Sequence, residues 1–121
     1  MHQFQSAVGR WVTTCFGADQ VVQARHRAYR YGEESNELLQ AVGVTRDEAH
    51  QLVDYVYGRP VGEQPQEVGG VMLTLAALCN ALGLDMAHCG RSALDEAWVR
   101  IEAIRAKERL KPAIGPLPGR S

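Results

Sequence analysis

The sequence predicts an all-α protein: an up-and-down bundle of four to five helices that associates with copies of itself. Three observations lead there. Apolar residues return every three or four positions along most of the chain, glycines and capping residues fall at the ends of those runs, and no stretch alternates apolar with polar residues as a half-buried strand does.

The first helix is carried by Phe4, Val8, Trp11, Val12 and Cys15 and is expected to stop at Gly17. The second begins near Asp19 and runs to Val42. Val21, Ala24, Ala28, Tyr31, Leu38 and Val42 form its apolar side, and His26, Arg30, Glu33 and Glu37 lie opposite, with Glu34 at the boundary. Thr45 followed by Glu48 is a capping box for a third helix, marked by Ala49, Leu52, Val53 and Val56 and ending near Gly58. After the loop RPVGEQP (59–65), a fourth helix from about Gln66 to Leu82 is apolar almost all round and implies burial on several sides, more than four short neighbours supply. Gly83 ends it. The last helix starts at Ser92, with Asp95 three residues on, and carries Leu94, Trp98, Ile101 and Ile104 before Pro112. One domain therefore covers 1–111, and PAIGPLPGRS (112–121) is expected to be a disordered tail.

Charge and cysteine content narrow the function. Thirteen Lys+Arg against fourteen Asp+Glu leave no basic excess for neutralising phosphates along a nucleic acid polymer. No apolar run is long enough to cross a bilayer, so no membrane partner is expected. Cys15, Cys79 and Cys89 lack the spacing of a disulfide framework or a zinc site and read as reduced thiols in a cytoplasmic protein. His88 beside Cys89 reads as loop, and His26 and His50 read as surface.

The chemistry-bearing residues are acids. Glu33, Glu34 and Glu37 form EExxE on one helix, where positions three and four apart share a face, and Glu67 opens a helix thirty positions later. Like charges so placed repel unless a cation lies between them, and Mg²⁺ favours carboxylate oxygens while keeping waters that a phosphate can displace. A solvated helix surface paired with Arg27 and Arg30 explains the same run without a metal.

The segments EESNELLQA, EVGGVMLTLAALCNALGLDM and AWVRIEAIRAK together resemble the MazG-like nucleotide pyrophosphohydrolases of the all-α NTP pyrophosphatase superfamily, over roughly residues 20 to 108. The resemblance implies a bundle of that type, assembled as a homodimer or tetramer. It also implies hydrolysis of an NTP or dNTP to the monophosphate and pyrophosphate, with Mg²⁺, or Mn²⁺ in its place. By position, Glu34, Glu37 and Glu67 match the family's metal ligands, and Glu33 matches the extra acid that would orient or deprotonate the attacking water. Where the pattern expects Asp, this chain has Gly70; Asp54 is the candidate replacement ligand. The last helix of the family often has a basic residue before its Trp, where this chain has Ala97. Arg30, Arg100, Arg105 and Lys107 are the cations available to substrate phosphates, and Trp11, Tyr31 and Trp98 offer stacking faces or fill the core.

Gly70, Thr74, Ala77 and Ala81, with Gly69 and Ala76 beside them, make a strip of small residues, expected to admit a closely packed backbone. The other reading is that the missing Asp vacates space for a different ligand, a water or a larger substrate. The alternative to an enzyme is a weakened or inactive nucleotide- and metal-binding module, or a helical oligomer whose acids are only surface charge.

Overall fold

The computed structural model describes residues 2–110, and its elements are all helical. In order they are α1 (His2–Phe16), a 3-10 helix (Ala18–Val22), α2 (Ala24–Val42), α3 (Arg46–Tyr57), α4 (Gln64–Leu82), α5 (Met86–Val99) and α6 (Ile101–Leu110). No strand occurs among the described residues. The all-α expectation holds, with six α-helices in place of four to five. The expected tail at 112–121 lies outside the described residues.

Local chemistry sets most helix ends. Gly17 and Gly83 take φ of 104° and 70°, a region that favours glycine, and so end α1 and α4 where the sequence places their stops. At Gly83 the Leu84 N–H donates to the Cys79 carbonyl at 2.9 Å, closing the last turn of α4. The capping box of α3 is complete: Thr45 Oγ1 accepts from the Glu48 N–H at 3.2 Å, and Glu48 Oε1 accepts from the Thr45 N–H at 2.8 Å.

Three boundaries differ from expectation. The residues after Gly17 form a 3-10 turn before α2 begins at Ala24, so the helix expected from Asp19 starts later. Helix α4 begins at Gln64 rather than Gln66, because Pro65 is compatible with a first helical turn. His88 and Cys89 lie inside α5, not in a loop: Asp85 Oδ1 accepts from the His88 N–H at 2.9 Å and so caps a helix six residues longer at its start than expected. That helix and α6 are separated by Arg100 alone, whose N–H donates to Glu96 and whose carbonyl accepts from Ile104.

The described residues divide into two compact units, 2–35 with 90–110, and 36–89. In the first, Val12 and Cys15 of α1 are buried, as the α1 periodicity predicts. Phe4 seats its ring over Gly90, where a Cβ would come within 3.3 Å of it. Arg105 of α6 reaches back to the end of α1: its Nε donates to the Cys15 carbonyl at 2.8 Å and its Nη2 to the Thr14 carbonyl, satisfying two carbonyls that a helix terminus leaves open.

The second unit buries only Cys79 among its described hydrophobic residues. The expectation that α4 is covered on several sides is not met within one chain: Val68 is 59% exposed and Leu73 is 73% exposed. The small-residue strip has no backbone against it either, since a Cβ added at Gly69 or Gly70 would meet nothing within 4 Å. An apolar sequence signals that burial is needed; it does not say that the same chain supplies the cover.

Candidate functional site

The two acidic motifs sit on two helices. Glu33, Glu34 and Glu37 project from the middle of α2, and Glu67 from the first turn of α4. Glu34 and Glu37, one turn apart, are exposed, and neither forms an ion pair among the described residues. Glu33 differs. Its Oε1 accepts from Arg30 Nη1 at 3.2 Å, so it is a half-buried, cation-held carboxylate.

Glu67 is exposed and has no cation partner among the described residues, but its carboxylate folds back over the loop before α4. It occupies the space that a Cβ on Gly62 would fill. Glycine at 62 is what lets the carboxylate lie there. A negative side chain in the first turn of a helix is also favoured by the helix dipole. Sequence reading passed over Gly62 because nothing in a loop sequence marks which glycine a side chain will rest on.

Asp54 is exposed on α3 and belongs to no group of three or more acids, His or Cys among the described residues. Among the described residues, no three Asp, Glu, His or Cys side chains gather as a group able to hold a metal ion. The donor type of Glu34, Glu37 and Glu67, hard carboxylate oxygen free of cations, suits Mg²⁺. Their placement within a single chain does not by itself assemble the site.

The four candidate phosphate-binding cations are occupied to different degrees. Arg100, just past the end of α5, is exposed and makes a single ion pair among the described residues, at 3.4 Å with Glu96 one turn before it. Lys107 is exposed. Arg105 is committed to the α1 terminus and to Glu102 at 2.8 Å. Arg30 bridges Glu33 and, at 3.4 Å, Glu108.

Around Glu108 lies a cluster that the sequence did not reveal. His26 Nε2 stands 3.1 Å from Glu108 Oε2, the oxygen that Arg30 also approaches. The side chains of Arg30 and Glu108 are each 15% exposed. His26 is thus not a free surface residue. The expected periodicity is inverted in the first part of α2, where His26, Arg30 and Glu33 of the nominally polar side are half-buried while Ala24, Ala28 and Tyr31 of the apolar side are exposed; further on, Glu37 is exposed and Leu38 half-buried, as expected. Periodicity failed because the partner acid is 82 residues away and belongs to α6. Arg27 lies over the Phe16 ring at 5.5 Å and donates to Gln20 Oε1 at 3.3 Å. Burial pulls its guanidinium below the usual arginine range, opposed by the charge of Glu108. Cys15, buried beside Arg105, has its thiol pushed above its ordinary value mainly by desolvation, which suits a packing residue rather than a nucleophile.

The aromatic candidates separate in the same way. Trp11 meets Phe16 edge-on at 5.5 Å, whereas Trp98 and Tyr31 are exposed. No protein-family model, no curated protein and no solved structure matches this chain.

Proposed function

We propose that this chain is a divalent-metal-dependent nucleoside triphosphate pyrophosphohydrolase of MazG-like type, releasing pyrophosphate from an NTP or dNTP. The observation that carries the reading is the contrast among its acids. Glu34, Glu37 and Glu67, which match the metal-ligand positions of the resemblance, are exposed carboxylates without a cation among the described residues, while Glu33 beside them is held by Arg30. An EExxE run that served only as a solvated, salt-bridged surface would pair more of its members, given the arginines nearby.

In this reading Glu34, Glu37 and Glu67 hold Mg²⁺ or Mn²⁺, which supplies neutralisation of the charge that grows on the phosphates. Glu33, fixed by Arg30, orients or deprotonates the attacking water. Lys107 and Arg100, exposed and weakly engaged, are better placed to meet phosphate oxygens than Arg105, whose donors are already used. The bundle completes itself as a homodimer or tetramer, because the exposed apolar surfaces of α3 and α4 need cover that the chain does not provide. Among the described residues no single helix is long and apolar enough to cross a membrane. With three free thiols, the chain fits a reducing cytoplasm.

The test is a pyrophosphate-release screen over a nucleotide panel with Mg²⁺ or Mn²⁺ present and absent. Glu37→Gln is expected to abolish release while leaving the fold intact, since it removes a ligand charge at nearly constant volume from an exposed position; undiminished turnover would refute the assignment. Gly70, where the family pattern expects Asp, favours a second reading, a nucleotide-binding module without turnover. Metal-dependent nucleotide binding with no pyrophosphate released from any nucleotide selects that reading.

A further inference from the structure

The first unit contains a cavity of about 290 Å³ lined by Cys15, Phe16, Gln20, His26, Arg105, Glu108 and Arg109. It is near the lower end of the size range of small-molecule pockets, roughly 300–1,000 Å³. Its wall is part apolar, from Phe16 and Cys15, and part charged.

The charges are not balanced. Four arginines, Arg27, Arg30, Arg105 and Arg109, lie in or directly behind the wall, against three glutamates. Glu33 pairs with Arg30 and Glu102 with Arg105, so Glu108 alone remains to face Arg27, Arg109 and His26 as well as Arg30. Arg27 has no carboxylate within ion-pair distance among the described residues. It rests on Phe16 and Gln20, both cavity-lining, and its buried Nε has no hydrogen-bond partner. A partly buried guanidinium that has an unpaired Nε and only the more distant charge of Glu108 to balance it is costly, and the cost falls when an anion enters the adjoining space. Arg109 is exposed at the cavity edge and makes no ion pair among the described residues.

We propose that this cavity is a binding site for a small phosphorylated metabolite, with Arg109 and His26 at the phosphoryl group, Arg27 supplying positive charge behind them, and the Phe16 side of the wall against the organic part. Glu108 also lines the cavity; His26 and Arg30 offset its charge, which reduces its repulsion of an anion, and it fixes the imidazole. The site is formed within one unit and uses none of Glu34, Glu37 or Glu67, so it stands apart from the pyrophosphohydrolase reading.

The experiment is calorimetric titration of the full chain with inorganic phosphate and with glycerol phosphate, in parallel with phosphorus NMR line broadening. Saturable binding is expected, tighter for the monoester. Arg109→Gln and Arg27→Gln should each weaken it about tenfold or more, the loss of one charge-assisted interaction. Glu34→Gln and Glu37→Gln should leave it unchanged. Arg109 is exposed, so its variant tests the site even if Arg27→Gln fails to fold. Absence of saturable binding, or binding indifferent to Arg109→Gln, overturns the proposal. Failure of every nucleotide to release pyrophosphate, with phosphate binding intact, sinks the hydrolase reading alone.

Discussion

In the first unit, Glu108 is shared by His26 and Arg30, Arg105 closes the end of α1, and Phe4 rests on Gly90. In the second, α3 and α4 present Leu52, Val53, Val56, Val68, Met72 and Leu73 to solvent and bury Cys79 alone among the described hydrophobic residues. The first unit joins sequence-distant elements through charge-assisted hydrogen bonds, which are directional and are made inside one chain. The second has the more apolar helix and the less complete burial. Hydrophobic stabilisation scales with area removed from water, so an apolar helix contributes little until something covers it. The contrast teaches that hydrophobic composition and realised core are separate quantities, and that the self-association we propose belongs to the second unit.

The comparison breaks most readily at Glu108. Glu108→Ala leaves Arg30 and His26 without their shared acid in a largely covered site, and is expected to lower unfolding free energy by about 2 to 4 kcal/mol in urea denaturation. A loss below the measurement error would mean that the first unit is not held by this cluster. Arg105→Ala comes next, at about 1 to 3 kcal/mol, since it uncovers the Thr14 and Cys15 carbonyls at the end of α1. Arg105→Lys should recover little of this, because an ammonium cannot span two carbonyls and Glu102 as a guanidinium fork does.

In the second unit, the sign of Gly70→Ala is informative. With nothing within 4 Å of the added Cβ, the single chain should gain about 1 kcal/mol from helix propensity. If a second copy packs on the small-residue strip, the same substitution should instead shift the monomer–oligomer equilibrium toward monomer in sedimentation experiments. Wild-type and variant chains compared at low and high concentration separate the two outcomes.

The smallest effect is expected at Glu48, which is fully exposed. Hydrogen bonds from the Thr45 backbone N–H and side chain hold its carboxyl below the usual carboxylate range. Its folded pKa is depressed, so its contribution is complete above the ordinary carboxylate pKa and disappears as pH falls through the folded value. Glu48→Gln should therefore lower stability slightly at neutral pH, leave it nearly unchanged at low pH, and so flatten the acid limb of the stability–pH curve. An unchanged acid limb would mean that the capping box carries no charge-dependent stability.

Much of the local structure was legible in advance. The α3 capping box, the stops at Gly17 and Gly83 and the absence of strands among the described residues follow from interactions spanning a few residues. The start of α5 carries a local signal as well, since Asp85 is a capping residue type directly before Met86. The burial pattern of α2 was not: its covered side is set by Glu108, 82 positions from His26. Of the candidate site, spacing marked the EExxE run and the resemblance to a family pattern singled out Glu34, Glu37 and Glu67, while Gly62 beneath the Glu67 carboxylate became visible only with coordinates.

By itself, then, the sequence determined which segments are helical and where most of them end, because caps, glycine dihedrals and side-chain periodicity act within one or two turns. Tertiary structure alone decided which helix faces are covered, which arginines are already committed, and that His26, Arg27 and Glu108 come together around a cavity. Those outcomes depend on elements brought close after long loops of chain are closed, and no local pattern records which distant charge will arrive.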